Sequence, residues 1–200
     1  MVELYLMGGA FMHPILLLLI MGIALGIFKL LQLLIVRGKS RTLLNGIGTV
    51  LKKDTLDAAL GKCEKTPGPI ASVLHAGLIR YQKGGAGMSS TMSAVGDIEY
   101  SFLERGLSWL NFIIVVAPLL GFTGTVWGMV VAFEQISLVD DVSPAIVAGG
   151  ISQALLTTLF GLLVAMIVHF FHNLTSAKLD KILTDMEEAA LSLMERLDAY

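Results

Sequence analysis

Three long apolar runs, separated by stretches of mixed character, set the hydrophobic pattern of this chain. The first, Pro14 to Val36 (PILLLLIMGIALGIFKLLQLLIV), is closed by Arg37. At about 1.5 Å per residue it reaches roughly 34 Å, enough to cross a hydrocarbon core. Pro14 suits the first turn, where its missing donor costs nothing, and the pattern allows a start as early as Tyr5. The second run is Leu107 to Phe133 and the third Ala145 to Phe171. The segment between them, 134–144, carries the acids Glu134, Asp140 and Asp141 and is short enough to require an antiparallel hairpin. The pattern therefore predicts an all-α membrane protein with three transmembrane helices and long helical extensions.

The remaining segments also read as helices. Residues 40–62 form a mixed stretch broken by the TPGP turn at 66–69. IASVLHAGLIRY (70–81) is apolar at helical spacing, and GGAG at 84–87 is a flexible break. From about Ser89 a helix is expected to run into the second span without interruption. In the tail, Leu179, Ile182, Leu183, Met186, Ala190, Leu193, Met194 and Leu197 form one stripe opposed by Lys and Glu. A stripe that long needs another helix to cover it, within the chain or in another copy.

Charge decides the orientation. Of the 14 Lys and Arg, Lys29 lies in the first run, where it snorkels to the headgroups or faces a protein interior. Ten fall in 37–106 and three after Asn173, whereas the N-terminal segment and the 134–144 link hold none. Short loops rich in Lys and Arg stay in the cytosol. Residues 1–13 and 134–144 are thus expected outside, 37–106 and 173–200 in the cytosol, with spans at 14–36, 107–133 and 145–172. Glu3 is the only charge ahead of the first apolar run, so that run reads as retained rather than as a cleaved export signal.

Composition agrees with the bilayer as solvent. Hydrophobic residues make up 55% of the chain and charged ones 15%, with a mean hydropathy of +0.78, too apolar for a soluble domain of this size. A net charge of −2 gives no reason to expect nucleic acid. The single cysteine, Cys63, excludes an internal disulfide and a cysteine metal cluster, and reads as a small residue in a packed, reduced domain.

The last two spans differ from the first. One face of span two carries Ala117, Gly121, Thr125, Gly128 and Ala132; one face of span three carries Ala154, Thr158, Gly161 and Ala165. Small residues at this spacing let helices approach closely, which by itself accounts for the glycines and alanines. Thr123, Thr125, Ser152, Gln153, Thr157 and Thr158 add polar groups at membrane depth. A single threonine there often bonds back to its own backbone. Gln153 does not have that escape, and a buried amide must face protein or water. Together the polar groups imply a protein-lined or hydrated interior between spans two and three.

Neither of these spans holds a carboxylate or basic group in its middle. A device that moves protons needs a group that binds and releases them within the membrane, so the carboxylate is expected from a partner. His169 and His172 lie at the end of span three, where interfacial packing is the favoured reading and a proton relay the lesser one. The four histidines are scattered, and there is no HExxH, phosphate-binding glycine loop or GxSxG; no catalytic constellation, metal site or cofactor is expected.

LERGLSWLNFIIVVAPLLGFTGTVWGMVVAF (103–133) resembles the second span of the MotA/TolQ/ExbB proton-channel family. ISQALLTTLFGLLVAMIVHFFHN (151–173) is similar to its third span, and CEKTPGPIASVLHAGLIRY (63–81) to its cytoplasmic segment. The three-span layout fits the ExbB/TolQ branch. The resemblance implies an inner-membrane homo-oligomer, a pentameric ring around a small single-span partner of the ExbD/TolR type, which supplies an aspartate. It also implies a TonB- or TolA-like protein receiving the motion. Thr125 and Thr158 match the family's polar threonines, with Thr157, Ser152 and Gln153 beside the same ion path. Gly121, Gly128, Ala154, Gly161 and Ala165 serve close packing. The chain departs from the branch in three places: Gln153 replaces a glutamate, Ile167 a proline, and in the Glu-Arg pair Phe28 replaces the acid while Lys29 takes the basic position. A glutamate relay at 153 is therefore not expected, and proton and sodium both stay open as the ion. The competing reading is a non-conducting scaffold that recruits partners through its cytosolic helices.

Overall fold

The computed structural model describes residue 5 and residues 7–53, 56–137 and 144–198; along 37–53, at 144–147 and at 198 it describes the backbone alone. Glu3, Asp140 and Asp141, and the side chains of Arg37, Lys39, Arg41, Lys52 and Lys53, lie outside the described residues. Among the described residues the elements are six long helices: α1 Met12–Lys53, α2 Leu56–Lys65, α3 Pro69–Gln82, α4 Met88–Glu104, α5 Leu107–Ser137 and α6 Pro144–Asp198. Three stretches are long and apolar enough to cross a membrane: Met12–Val36, Leu107–Ser137 and a part of Ala148–Leu197. The 55 residues of α6 reach roughly 80 Å, far beyond the ~30 Å a bilayer core requires, so one unbroken helix carries both the third span and the tail.

The chain divides into two compact units. The first combines residues up to Phe28 with Leu107–Asn173 and holds the three apolar stretches. Its core is Ile15 and Leu18 of α1, Leu110, Ile113 and Ala117 of α5, and Val164 and Val168 of α6. Contacts at its glycines reveal the direction of each helix. Gly121 lies against Thr157 and Thr158, Gly128 against Ala154, and Gly150 against Ala132, so α5 and α6 are antiparallel. Gly22 lies against Val168 and Gly26 against Phe171, so α1 runs parallel to α6. The outer faces present Leu17, Ile20, Trp109, Phe122, Trp127, Leu155, Met166 and Phe170. In water such exposure would be untenable, whereas lipid tails cover it without cost.

The second unit comprises Lys29–Gly106 and Leu174–Tyr200. Pro69 opens α3 where a missing N–H is harmless. Between α3 and α4 the chain reverses through Gly84, Gly85 and Gly87, all at positive φ, and Arg80 Nε closes the turn by donating to the Ala86 carbonyl at 2.6 Å. Ile70, Val73, Leu74 and Leu78 of α3 are buried together with Met88 and Met92 of α4 and Leu179, Ile182, Met186, Ala189, Leu193 and Leu197 of the tail. Leu179, Ile182, Met186, Leu193 and Leu197 of the tail stripe are thus covered within the chain, Leu183, Ala190 and Met194 are half-buried, and Gly96 of α4 lets Met186 approach.

One expectation is corrected. The helix expected to run from about Ser89 into the second span is broken at Arg105 and Gly106, the latter at φ +102°. That conformation is open to glycine and strained for other residues. Lys29 holds the break: its Nζ donates to the Arg105 carbonyl at 2.6 Å and to Gln32 Oε1 at 3.3 Å. A cation at a helix C-terminus satisfies an orphan carbonyl and opposes the helix dipole. Of the two roles open to Lys29, the structure selects the protein interior, with 7% of the residue exposed.

Candidate polar site between the second and third spans

Close approach of two helices comes first, because it places everything else. On α5 the buried face is Ala117, Gly121, Gly124, Gly128 and Ala132. A Cβ built on Gly121 would stand 2.8 Å from the Thr157 carbonyl oxygen, and one on Gly161 would stand 2.6 Å from the Ala117 carbonyl oxygen. The two backbones are therefore in direct contact, as small residues permit in membranes. Ala154 is buried against Gly128, and Ala165 is also buried.

That contact gathers three hydroxyls. Thr125 Oγ1 and Thr158 Oγ1 share a hydrogen bond across the two helices. Thr158 Oγ1 also lies 3.1 Å from the Gly121 carbonyl, and Thr125 Oγ1 lies 3.2 Å from Gly121 O and 3.3 Å from Ala154 O. Thr157 Oγ1 reaches Ala154 O at 2.7 Å and Gly121 O at 3.3 Å. Each hydroxyl has one hydrogen and two lone pairs. When Thr125 donates to Thr158, Thr158 donates to Gly121; in the opposite sense Thr158 donates to Thr125, which then donates to Gly121 or Ala154. The pair can be polarised in either direction and keeps lone pairs free for an outside donor. Hydroxyls do not ionise near neutral pH, so a separate group must carry the proton to them.

The sequence-based candidates are thus distributed unequally. Thr125 and Thr158 are half-buried and meet each other. Thr157 is 1% exposed, in the seam itself, with its hydroxyl over Gly124. Gly124 was not singled out from the sequence, although its position three residues after Gly121 on the helix was the available signal. Ser152 and Gln153 are half-buried and lie a turn or more nearer the Pro144 end of α6 than the threonines. The Gln153 amide covers Gly9, leaving no room for a Cβ there. Thr123 is exposed and donates to its own helix at Leu119 O, 2.8 Å away. In the second unit, burial pushes the Cys63 thiol up to about 11, which makes it a packing residue rather than a reactive one.

The chain is similar to known proteins over much of its length. The profile of the MotA/TolQ/ExbB proton channel family matches residues 65–188, which include α5, the threonine cluster and most of α6. An ExbB homolog of Methanothermobacter thermautotrophicus, named for biopolymer transport, is 28% identical over 179 residues, covering 89% of this chain and 63% of that protein. The biopolymer transport protein ExbB of Salmonella typhimurium is 27% identical over 113 residues, 56% of this chain and 45% of its own length. The Tol-Pal system protein TolQ of Pseudomonas aeruginosa is 33% identical over 92 residues, 46% of this chain and 40% of its own. The chain therefore spans less than two thirds of each of these relatives. With three membrane-length helices and a family match over more than half its length, this chain belongs to the MotA/TolQ/ExbB proton channel family, on its ExbB/TolQ-like branch.

Proposed function

We propose that this chain is the conducting, stator-type subunit of an inner-membrane motor that couples an ion motive force, most simply of protons, to work across the envelope. The observation that carries the reading is the meeting of the Thr125 and Thr158 hydroxyls in a seam with no carboxylate of its own. A small single-span partner brings an aspartate to these hydroxyls. The protonated acid donates to a free threonine lone pair and the ionised acid accepts from a hydroxyl, so both states find a partner at membrane depth. Gly121, Gly128, Ala154 and Gly161 hold the two spans in backbone contact and so keep both hydroxyls at one place. The excess of Lys and Arg in 37–106 and in the tail supports a periplasmic N-terminus and a cytosolic C-terminus. Relatives named for biopolymer transport and for the Tol-Pal system support an output to a TonB- or TolA-like protein, with several copies of the chain, five in the family's manner, around the partner.

The test is Thr158→Val, which keeps shape and removes the hydroxyl. Flux in proteoliposomes holding the purified complex should fall to that of empty vesicles while oligomer mass and partner content are retained. Flux equal to that of the unaltered chain rejects the hydroxyl role. Measuring with and without the partner, in sodium-free buffer, separates a proton conductor from a sodium conductor and both from a passive scaffold.

A further inference from the structure

The Asn173 end of the third span carries two imidazoles that the threonine site leaves unused. His169 and His172 stand about 16 and 21 Å along α6 from Thr158. Their rings are parallel to within 4°, with centroids 6.2 Å apart. Asn173 Nδ2 lies 3.4 Å from His169 Nε2, whereas His172 Nδ1 is buried and has no hydrogen-bond partner among the described residues. Leaving such an atom unsatisfied costs stability. Buried polar atoms almost always find protein or an ordered water, so this nitrogen calls for a water beside it.

Position adds to this. At 100° per residue, Thr158, Ala165, His169 and His172 fall within a sector of about 60° on α6. On α5, Pro118 withholds the N–H that the Ile114 carbonyl would otherwise receive. With Ala117 opposite Gly161, that carbonyl lies between the level of the threonines and the level of the histidines. The helices packed here bring no competing charge. The flanking contacts are Gly22 to Val168 and Gly26 to Phe171 from α1, with Leu110 and Ile113 from α5 in the core beside Val168. Residues 14–28 and 107–133 contain no Asp, Glu, Lys, Arg or His. Lys29, the next charge along α1, is engaged by Arg105 and Gln32, and the Arg105 guanidinium lies over the Phe102 ring.

We propose that His169 and His172 hand protons between the threonine site and the cytosolic face; this rests on reading the chain as a proton conductor. A hydrated proton passed on from His169 is taken up by His172 at Nδ1, giving imidazolium, and the proton on Nε2 leaves to water at the cytosolic face. Exchange through water restores the first tautomer. Only N–H and O–H bonds form and break, and one proton enters for each that leaves.

Proton flux driven by an imposed pH gradient, in liposomes holding the purified complex, tests this with His169→Gln, His172→Gln and His172→Ala beside Thr158→Val. His172→Gln should cut flux at least tenfold with oligomer mass unchanged, and free imidazole in the buffer should restore flux to His172→Ala. Full flux in the histidine variants, with Thr158→Val inactive, overturns the relay and leaves the threonine reading standing. Loss that imidazole does not relieve overturns it in favour of a packing role, and absence of flux in the unaltered complex overturns both.

Discussion

Replacing Gly161 by alanine adds one methyl group at the tightest point between α5 and α6. The new Cβ would stand 2.6 Å from the Ala117 carbonyl oxygen, 3.3 Å from Gly121 N and 3.2 Å from Gly121 Cα. Ordinary contacts begin near 3.5 Å, and the nearest atom belongs to a backbone that cannot rotate away, so the helices must part by roughly half an ångström or more. Overpacking of this kind costs about 1–3 kcal/mol. Separation also stretches the bonds from Thr157 and Thr158 to Gly121 O, each contributing about 0.5–1.5 kcal/mol. Against this stands the gain in helix propensity from Gly to Ala, about 1 kcal/mol. The net expectation is a loss of about 1–3 kcal/mol. Gly61→Ala is the matched control: nothing lies within 4 Å of its Cβ, so propensity acts alone and the variant should be about 0.5–1 kcal/mol more stable. Both follow from reversible SDS unfolding in mixed micelles, using the fluorescence of Trp109 and Trp127 on α5. If Gly161→Ala proved neutral or stabilising, α5 and α6 would not be in backbone contact, and the gathering of the threonines would lose its cause.

Further expectations concern the second unit. Lys29→Met leaves the Arg105 carbonyl without its donor and should cost about 1–3 kcal/mol, with amide exchange around 104–107 accelerating first; unchanged exchange there would mean the ammonium does not hold the break. The Cys63 thiol, raised from 9.0 to about 11, should alkylate about a hundredfold more slowly near pH 8 than in the unfolded chain. Because its folded value is the higher one, its contribution to stability is complete below pH 9 and falls away between 9 and about 11, and Cys63→Ala should flatten that part of the stability profile. Equal alkylation rates in folded and unfolded chains would place the thiol at the surface.

Much of the architecture was legible before any coordinates. Long apolar runs announce spans because each residue contributes its transfer free energy independently of its neighbours. Helical spacing in 70–81 and in the tail stripe likewise marked faces that the structure buries. Where two influences compete locally, sequence alone was a weaker guide. The break at Gly106 was missed because the flanking residues form helix readily, and the ammonium that caps Arg105 comes from a residue 76 positions away. Of the threonines, Thr123 and Thr125 differ by two residues; one returns to its own backbone and the other reaches Thr158.

Composition and periodicity thus account for the membrane, the number of spans and the two small-residue faces, since these depend on sums and spacing along a single helix. Which hydroxyls meet, which glycine makes room for Thr157, whether Lys29 faces protein or headgroups, and the orphan nitrogen of His172 emerge only in three dimensions. Each depends on how one helix is rotated and shifted against another, and that is set by contacts of a few tenths of an ångström contributed from distant parts of the chain.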